Sequence, residues 1–174
     1  DLRDKIGYVP QTGVLFSGTI ASNLRYGKED ATEKEIHEAL DIAQASEFVN
    51  KLEKGIESPI SQGGTNVSGG QKQRLSIARA IAKDPDIYVF DDSFSALDFK
   101  TDAKLRGELS KITKNKTVLI VAQRISTIMN ADKIVVLDEG RVVGIGKHKD
   151  LLENCAVYKE IALSQLSKEE LENA

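Results

Sequence analysis

The chain has 174 residues, 40% hydrophobic and 29% charged, and 24 Lys plus Arg against 27 Asp plus Glu give a formal charge of −3. That balance supplies no global attraction for nucleic acid or an anionic membrane, and no apolar run approaches the ~18 residues of a spanning helix. The single cysteine, Cys155, has no second cysteine to pair with inside the chain, so a reducing compartment is the expectation.

The length suits one domain or most of one. "DLRDKIGYVPQ" enters a strand-like run with nothing before it, as if an element upstream were missing. Ile6–Val9 reads as a short strand stopped by Pro10. Thr19–Tyr26 reads as a short helix. Thr32 and Glu35 form a capping-box pair ahead of Ile36, Ala39, Leu40 and Ala43, which repeat on one helical face. Ser46 is expected to cap a further helical piece through Leu52. "GIESPISQGGTNVSGGQ" is loop-like. Ser68 starts a helix to about Ala82, ended by Asp84-Pro85. Ile87–Phe90 is an uninterrupted apolar run, as for a strand buried on both faces. A helix over Lys100–Ile112, a strand over Thr117–Ala122, a short helix near Ser126–Asn130 and a strand over Lys133–Leu137 follow. "DEG" then turns the chain into Arg141–Ile145 as a hairpin, and Lys149–Leu166 is helical. This alternation predicts an α/β fold with a mainly parallel core.

Asp91 and Asp92 stand at the carboxyl end of the most apolar strand, where open α/β sheets collect ligands. One carboxylate there can hold Mg²⁺, largely through its waters. A second can orient or deprotonate an attacking water. Adjacent residues on a strand point to opposite faces, so both serve one site only if the chain leaves strand geometry at Asp92. Taken alone, the pair fits equally well as a surface strand end. In "NVSGGQKQRLSIARA", Ser68 is an N-cap and Gln71 stands at the position of a capping-box partner. Gly69 and Gly70 are poor first-turn residues and make sense where something must approach the backbone. A helix N-terminus offers free N–H groups and positive dipole, hence a seat for phosphate.

"NVSGGQKQRLSIARA" resembles the signature motif of ABC-transporter ATPase domains, and the resemblance runs through nearly the whole chain. "YVPQ" resembles the Q-loop, "IYVFDD" Walker B, "SALD" the D-loop and "VAQRIST" the switch loop. "GVLFSGTIASNLRYG" and "ADKIVVLDEGRVVGIGKHKDLL" resemble the exporter-type domain. Any one motif alone is weak; together, in the family's order, they are specific.

The resemblance implies a P-loop NTPase-like fold with an inserted α-helical subdomain. Its parts are a Q-loop region at 1–18, the helical subdomain with the signature motif at 19–83, a core with Walker B, D-loop and switch loop at 84–148, and C-terminal helices at 149–174. It implies ATP and Mg²⁺ as cofactors and ATP hydrolysis that drives export. The implied partners are a second ATPase domain, from a different subunit, and the coupling helices of a transmembrane domain, with no nucleic acid. The implied place is the cytoplasmic face of a membrane. Asp91 and Gln11 would hold the metal, with Asp92, Gln11 and Gln123 catalytic. Ser68, Gly69, Gly70 and Gln71 would complete the partner's site, and Asp98 would lie at the dimer interface.

The family also has a Walker A loop, G-x-x-x-x-G-K-[ST], and an adenine-stacking aromatic residue upstream of the Q-loop. No such loop occurs in these residues. The chain is therefore expected to be the C-terminal portion of such a domain, binding ATP weakly and hydrolysing none by itself. Most members carry Glu after the Walker B Asp, where this chain has Asp92, and His in the switch loop, where it has Gln123. Asp is shorter by one C–C bond, ~1.5 Å, and Gln cannot become a cation. Together these changes resemble the degenerate-site half of a heterodimeric exporter. Soluble ABC ATPases of chromosomes or ribosomes, and a non-catalytic docking module, are the alternatives. His37 and His148 read as surface residues without metal spacing. Cys155 reads as a thiol without chemistry, Glu139 as a turn residue, Tyr88 as core, and "SKEELENA" as a tail with no assigned partner.

Overall fold

The computed structural model describes residues 1–167, so the "SKEELENA" tail beyond Ser167 lies outside the described residues. The chain divides into two compact units, Asp1–Val121 and the described residues from Ala122 onward.

In the first unit, β1 (Ile6–Val9) leads through a loop to the two-residue strand β2 (Gly18–Thr19). Helix α1 (Ile20–Arg25) follows, with Thr19 and Ser22 closing a capping box. Helix α2 (Glu33–Ile42) starts at the expected Thr32–Glu35 capping box. Its apolar face is real: Ile36, Leu40 and Ala43 are fully buried and Ala39 nearly so. Burying Ile36 and Leu40 stabilises the fold by about 1.5–3 kcal/mol each.

Helix α3 (Ser46–Val49) corrects two expectations. Ser46 lies inside it and Ala45 takes the cap position without a side-chain bond, while the helix stops before Leu52. The Ser46 hydroxyl bonds the Asp41 carboxylate instead, an alternative a short polar side chain readily takes. The segment expected to be loop contains β3 (Pro59–Ile60), antiparallel to β2, and two 3-10 turns. A two-residue ribbon offers no periodicity to read.

Helix α4 (Gly69–Ala82) runs as expected, and Leu75, Ile77, Ala78 and Ile81 are buried. After it, β4 (Ile87–Asp91), helix α5 (Phe99–Ile112) and β5 (Thr117–Val121) complete the unit. The sheet is parallel, in order β1-β4-β5, with Val9 beside Phe90 and Phe90 beside Ile120. Gly7, Val9, Tyr88 and Phe90 face the core. The opposite face is not closed. Ile87 and Val89 are half-buried there, beside Tyr8 and Leu119, each 55% exposed. β4 is thus buried on one face only, because an unbroken apolar run reports hydrophobicity but not which layers cover it.

The second unit has its own core of Ile125, Ile134, Val136, Leu151, Cys155, Tyr158 and Ala162. It comprises α6 (Ile125–Ile128), the hairpin of β6 (Ile134–Asp138) and β7 (Arg141–Gly146), α7 (His148–Asn154) and α8 (Ala156–Gln165). Glu139 (φ 45°) and Gly140 (φ 75°) make the hairpin turn, whose two positive φ angles match the twist of the strands. The expected C-terminal helix breaks at Cys155, which is extended at φ −124° and ψ 104°. His148 is not a surface residue. It is 4% exposed, with Nδ1 2.7 Å from the Tyr158 hydroxyl, while His37 is exposed as expected.

Candidate functional site

The register of β4 sets the geometry. Ile87, Val89 and Asp91 alternate on the open face, so Asp91 leaves the sheet away from the core. Its carboxylate accepts from the Tyr8 hydroxyl at 3.0 Å. That bond, which favours the protonated phenol, is the main reason Tyr8 titrates above its ordinary range. Asp92 then turns into the left-handed region at φ 44°, its N–H still bonded to the Val121 carbonyl at 2.9 Å. Asp tolerates that conformation better than most residues. The turn ends the strand alternation and lets Gln11 Nε2 reach Asp92 Oδ2 at 3.2 Å. Asp91, Asp92 and Gln11 therefore gather at one end of the sheet. Tyr8 was missed, although its place opposite Val89 in the register puts it on the Asp91 face.

The tip of α4 is built as its residues suggest. Ser68 Oγ accepts from the Gln71 N–H at 3.2 Å, and Gln71 Oε1 accepts from the Ser68 N–H at 2.8 Å. Ser68 and Gly69 are exposed. A Cβ added at Gly69 would meet nothing within 4 Å, and one at Gly70 only the Ala96 carbonyl at 3.6 Å. Packing inside the chain does not require these glycines. Asp98 caps α5, accepting from the Thr101 N–H at 3.0 Å and hydroxyl at 2.7 Å. The Thr101 N–H is the chief cause that holds its carboxyl below the usual range. Gln123 belongs to the second unit, where it is exposed and its backbone carbonyl accepts from Gln165 Nε2 at 2.8 Å.

Among the described residues no three His, Cys, Asp or Glu side chains cluster as a closed metal site. Asp91 offers a single carboxylate, and the Gln11 amide is bonded to the adjacent Asp92; so few protein oxygens fit Mg²⁺, an ion that keeps several waters and takes its other oxygens from substrate phosphates. The open helix tip at Gly69 and Gly70 fits a phosphate oxygen close to backbone N–H groups.

A second surface lies on the same unit. The Phe16 and Tyr26 rings pack with centroids 4.4 Å apart and are 43% and 73% exposed, next to Val14 at 50%. Buried Asn23 holds the Phe16 backbone in place, accepting from the Phe16 N–H and donating to the Phe16 and Thr19 carbonyls, all at 2.9 Å. The Arg79 guanidinium lies 5.5 Å from the Phe16 ring centroid.

Residues 1–95 match the family model described as ABC transporter. The chain belongs to the ABC transporter family. It is 50% identical over 167 residues to an uncharacterized ABC transporter ATP-binding protein of Mycobacterium bovis, covering 94% of this chain and 28% of that protein. It is 48% identical to the ABC transporter ATP-binding protein YfiB of Bacillus subtilis, over 97% of this chain and 29% of the relative. A solved bacterial Atm1-family ABC exporter with ATP bound superposes with a TM-score of 0.91 at 37% identity, over 96% of this chain and 30% of that one. The chain thus spans under a third of the length of these relatives. The mixed α/β fold with a parallel core is that of the exporter's nucleotide-binding region.

Proposed function

We propose that this ABC transporter chain is part of the ATP-hydrolysing domain of an exporter, working at the cytoplasmic face of a membrane. The observation that carries the reading is the gathering of Asp91, Asp92 and Gln11 at one sheet end. The superposition on an ATP-bound exporter supports it. Asp91 and Gln11 would hold the magnesium of magnesium-ATP, which supplies the phosphoanhydride to be cleaved. Asp92 would accept the proton of the attacking water, with Gln11 fixing one carboxylate oxygen. Gln123 would contribute a neutral hydrogen bond in place of a cation.

The tip of α4 serves a different nucleotide. Ser68, Gly69, Gly70 and Gln71 would complete the site of a second ATPase domain, with Asp98 at the interface. The shortened Asp92 and uncharged Gln123 support a slow site in this subunit and a competent one in a different partner subunit. The Phe16–Tyr26 surface would seat the coupling helices of a transmembrane domain. Among the described residues no helix is long and apolar enough to cross a membrane. No G-x-x-x-x-G-K-[ST] stretch occurs in the chain, so by itself it would hold ATP weakly and turn none over.

The test uses the complete transporter. Ser68→Ala is expected to remove at least about 10²-fold of turnover, as loss of one preorganised donor does elsewhere. Asp92→Asn is expected to cost little, because that site is already slow. Equal losses would overturn the division between sites, and no ATPase activity in the unmodified pair would overturn the enzyme reading.

A further inference from the structure

We propose that Gln73 is a positioning residue that sets Gln11 against Asp92 and ties it to the tip of α4. The proposal rests on the reading of Gln11 and Asp92 as parts of a nucleotide site. Gln73 stands five residues past Ser68 on α4 and is 1% exposed, among Leu75, Ser76, Ile77 and Ala78, all buried. A buried amide is costly unless it is hydrogen-bonded, and an apolar residue would fill the place at lower cost. Its bond is to the Pro10 carbonyl, from Nε2 at 3.0 Å. A carbonyl only accepts, so the orientation of the amide is fixed by its partner. Pro10 has a locked φ and no N–H, which makes its carbonyl a rigid handle on the next residue, Gln11.

The preceding carbonyl is held from the other side. Ser93, fully buried and next to Asp92, donates from Oγ to the Val9 carbonyl at 2.8 Å. Two successive peptide groups before Gln11 are therefore gripped, one from the exit of β4 and one from α4. Beyond Gln11 the chain continues to ride on the helix. A Cβ at Gly13 would lie 2.8 Å from the Lys72 carbonyl carbon, and Arg79 Nη2 donates to the Val14 carbonyl at 3.0 Å. With residues 10–14 fastened to α4, a displacement of the Ser68–Gly69 tip reaches Gln11 rather than dissipating in a loose loop. Gln73 thereby couples the nucleotide engaged by the tip to the Gln11–Asp92 contact of the other site.

Gln73→Met keeps the side-chain volume and removes the donor; Gln73→Glu keeps the shape and sets a carboxylate against the carbonyl. In the isotope-labelled chain, both variants are expected to move the Gln11 side-chain amide resonance at least halfway to its position in Asp92→Ala. In the complete transporter carrying Asp92→Glu, which gives that slow site back its reach, Gln73→Met is expected to cancel most of the several-fold gain in kcat by misplacing Gln11 by a fraction of an ångström, with KM within twofold. In a Gln11→Ala background it should cost nothing further, since it acts through Gln11. An unmoved Gln11 resonance in both variants, or independent losses in the double variant, overturns the proposal. Absence of any ATPase activity in the unmodified transporter would instead defeat the nucleotide-site reading, and the resonance measurement would still decide the coupling.

Discussion

Gly69→Ala separates the fold from the chemistry at the helix tip. The added methyl group meets no atom within 4 Å, and at Gly70 the nearest is the Ala96 carbonyl at 3.6 Å, an ordinary contact. Neither position has positive φ. On folding grounds the substitution should help, since Ala in place of Gly inside a helix gains roughly 0.5–1 kcal/mol, and less in a first turn. For a chain of this size that is an increase in melting temperature of about 1–3 °C. On chemical grounds it should be ruinous. The methyl projects ~1.5 Å from the backbone, at the place where a phosphate oxygen would lie against free N–H groups, and a displacement of ~1 Å can cost ~10²-fold in rate. The expected result is a chain whose melting curve by circular dichroism is unchanged or raised, and a complete transporter whose turnover falls about 10²-fold. Turnover within threefold of the unmodified protein would refute the argument that Gly69 is kept open for a ligand. A melting temperature lowered by several degrees would refute it as well, by showing that the fold itself needs the glycine.

Asn23→Ala leaves the Phe16 N–H and carbonyl without their partner and should cost about 2–4 kcal/mol in denaturant unfolding of the chain, as loss of a buried hydrogen-bond network does; a loss under about 1 kcal/mol would show that water replaces the amide. Burial, and secondarily Lys149, push His148 below its ordinary value, so the unfolded chain binds more protons than the folded one between the two values. Its contribution to stability is present above about pH 6.5 and lost as pH falls through the lower folded value. Thermal unfolding between pH 7.5 and 5 should therefore weaken more steeply in the unmodified chain than in His148→Phe, and parallel curves would exclude the effect. Asp92→Glu, which returns ~1.5 Å of reach, should raise turnover of the complete transporter several-fold, further when combined with Gln123→His; a fall would show that Asp92 is not a shortened base.

The parts of this molecule legible in the sequence are those whose signal is local. The Thr32–Glu35 and Ser68–Gln71 capping boxes were readable because a cap and its partner lie three residues apart and declare themselves in the hydrogen bonds they make. The departure of Asp92 from strand geometry was readable from the demand that two neighbouring carboxylates serve one place, and the backbone meets it with φ 44°. What stayed hidden depends on register or distance. Tyr8 and Asp91 are 83 residues apart, and only the pairing of β1 with β4 puts them on one face. His148 looked like a surface residue because its Tyr158 partner declares nothing at a separation of ten. Ser46 has the right chemistry for a cap, but the Asp41 carboxylate competes successfully for its hydroxyl.

The same distinction bears on Gln73. As a residue type it is an ordinary helix former. Only its burial and its reach over 63 residues to Pro10 give it a role. Ser68 and Asp92 are identified by what surrounds them in sequence, whereas the connection between them runs through a residue with no motif value of its own. If one helix tip and one strand end serve different ligands, as proposed, the coupling element must lie between motifs rather than within them. A buried amide on α4, bonded to the backbone beside Gln11, would meet that requirement.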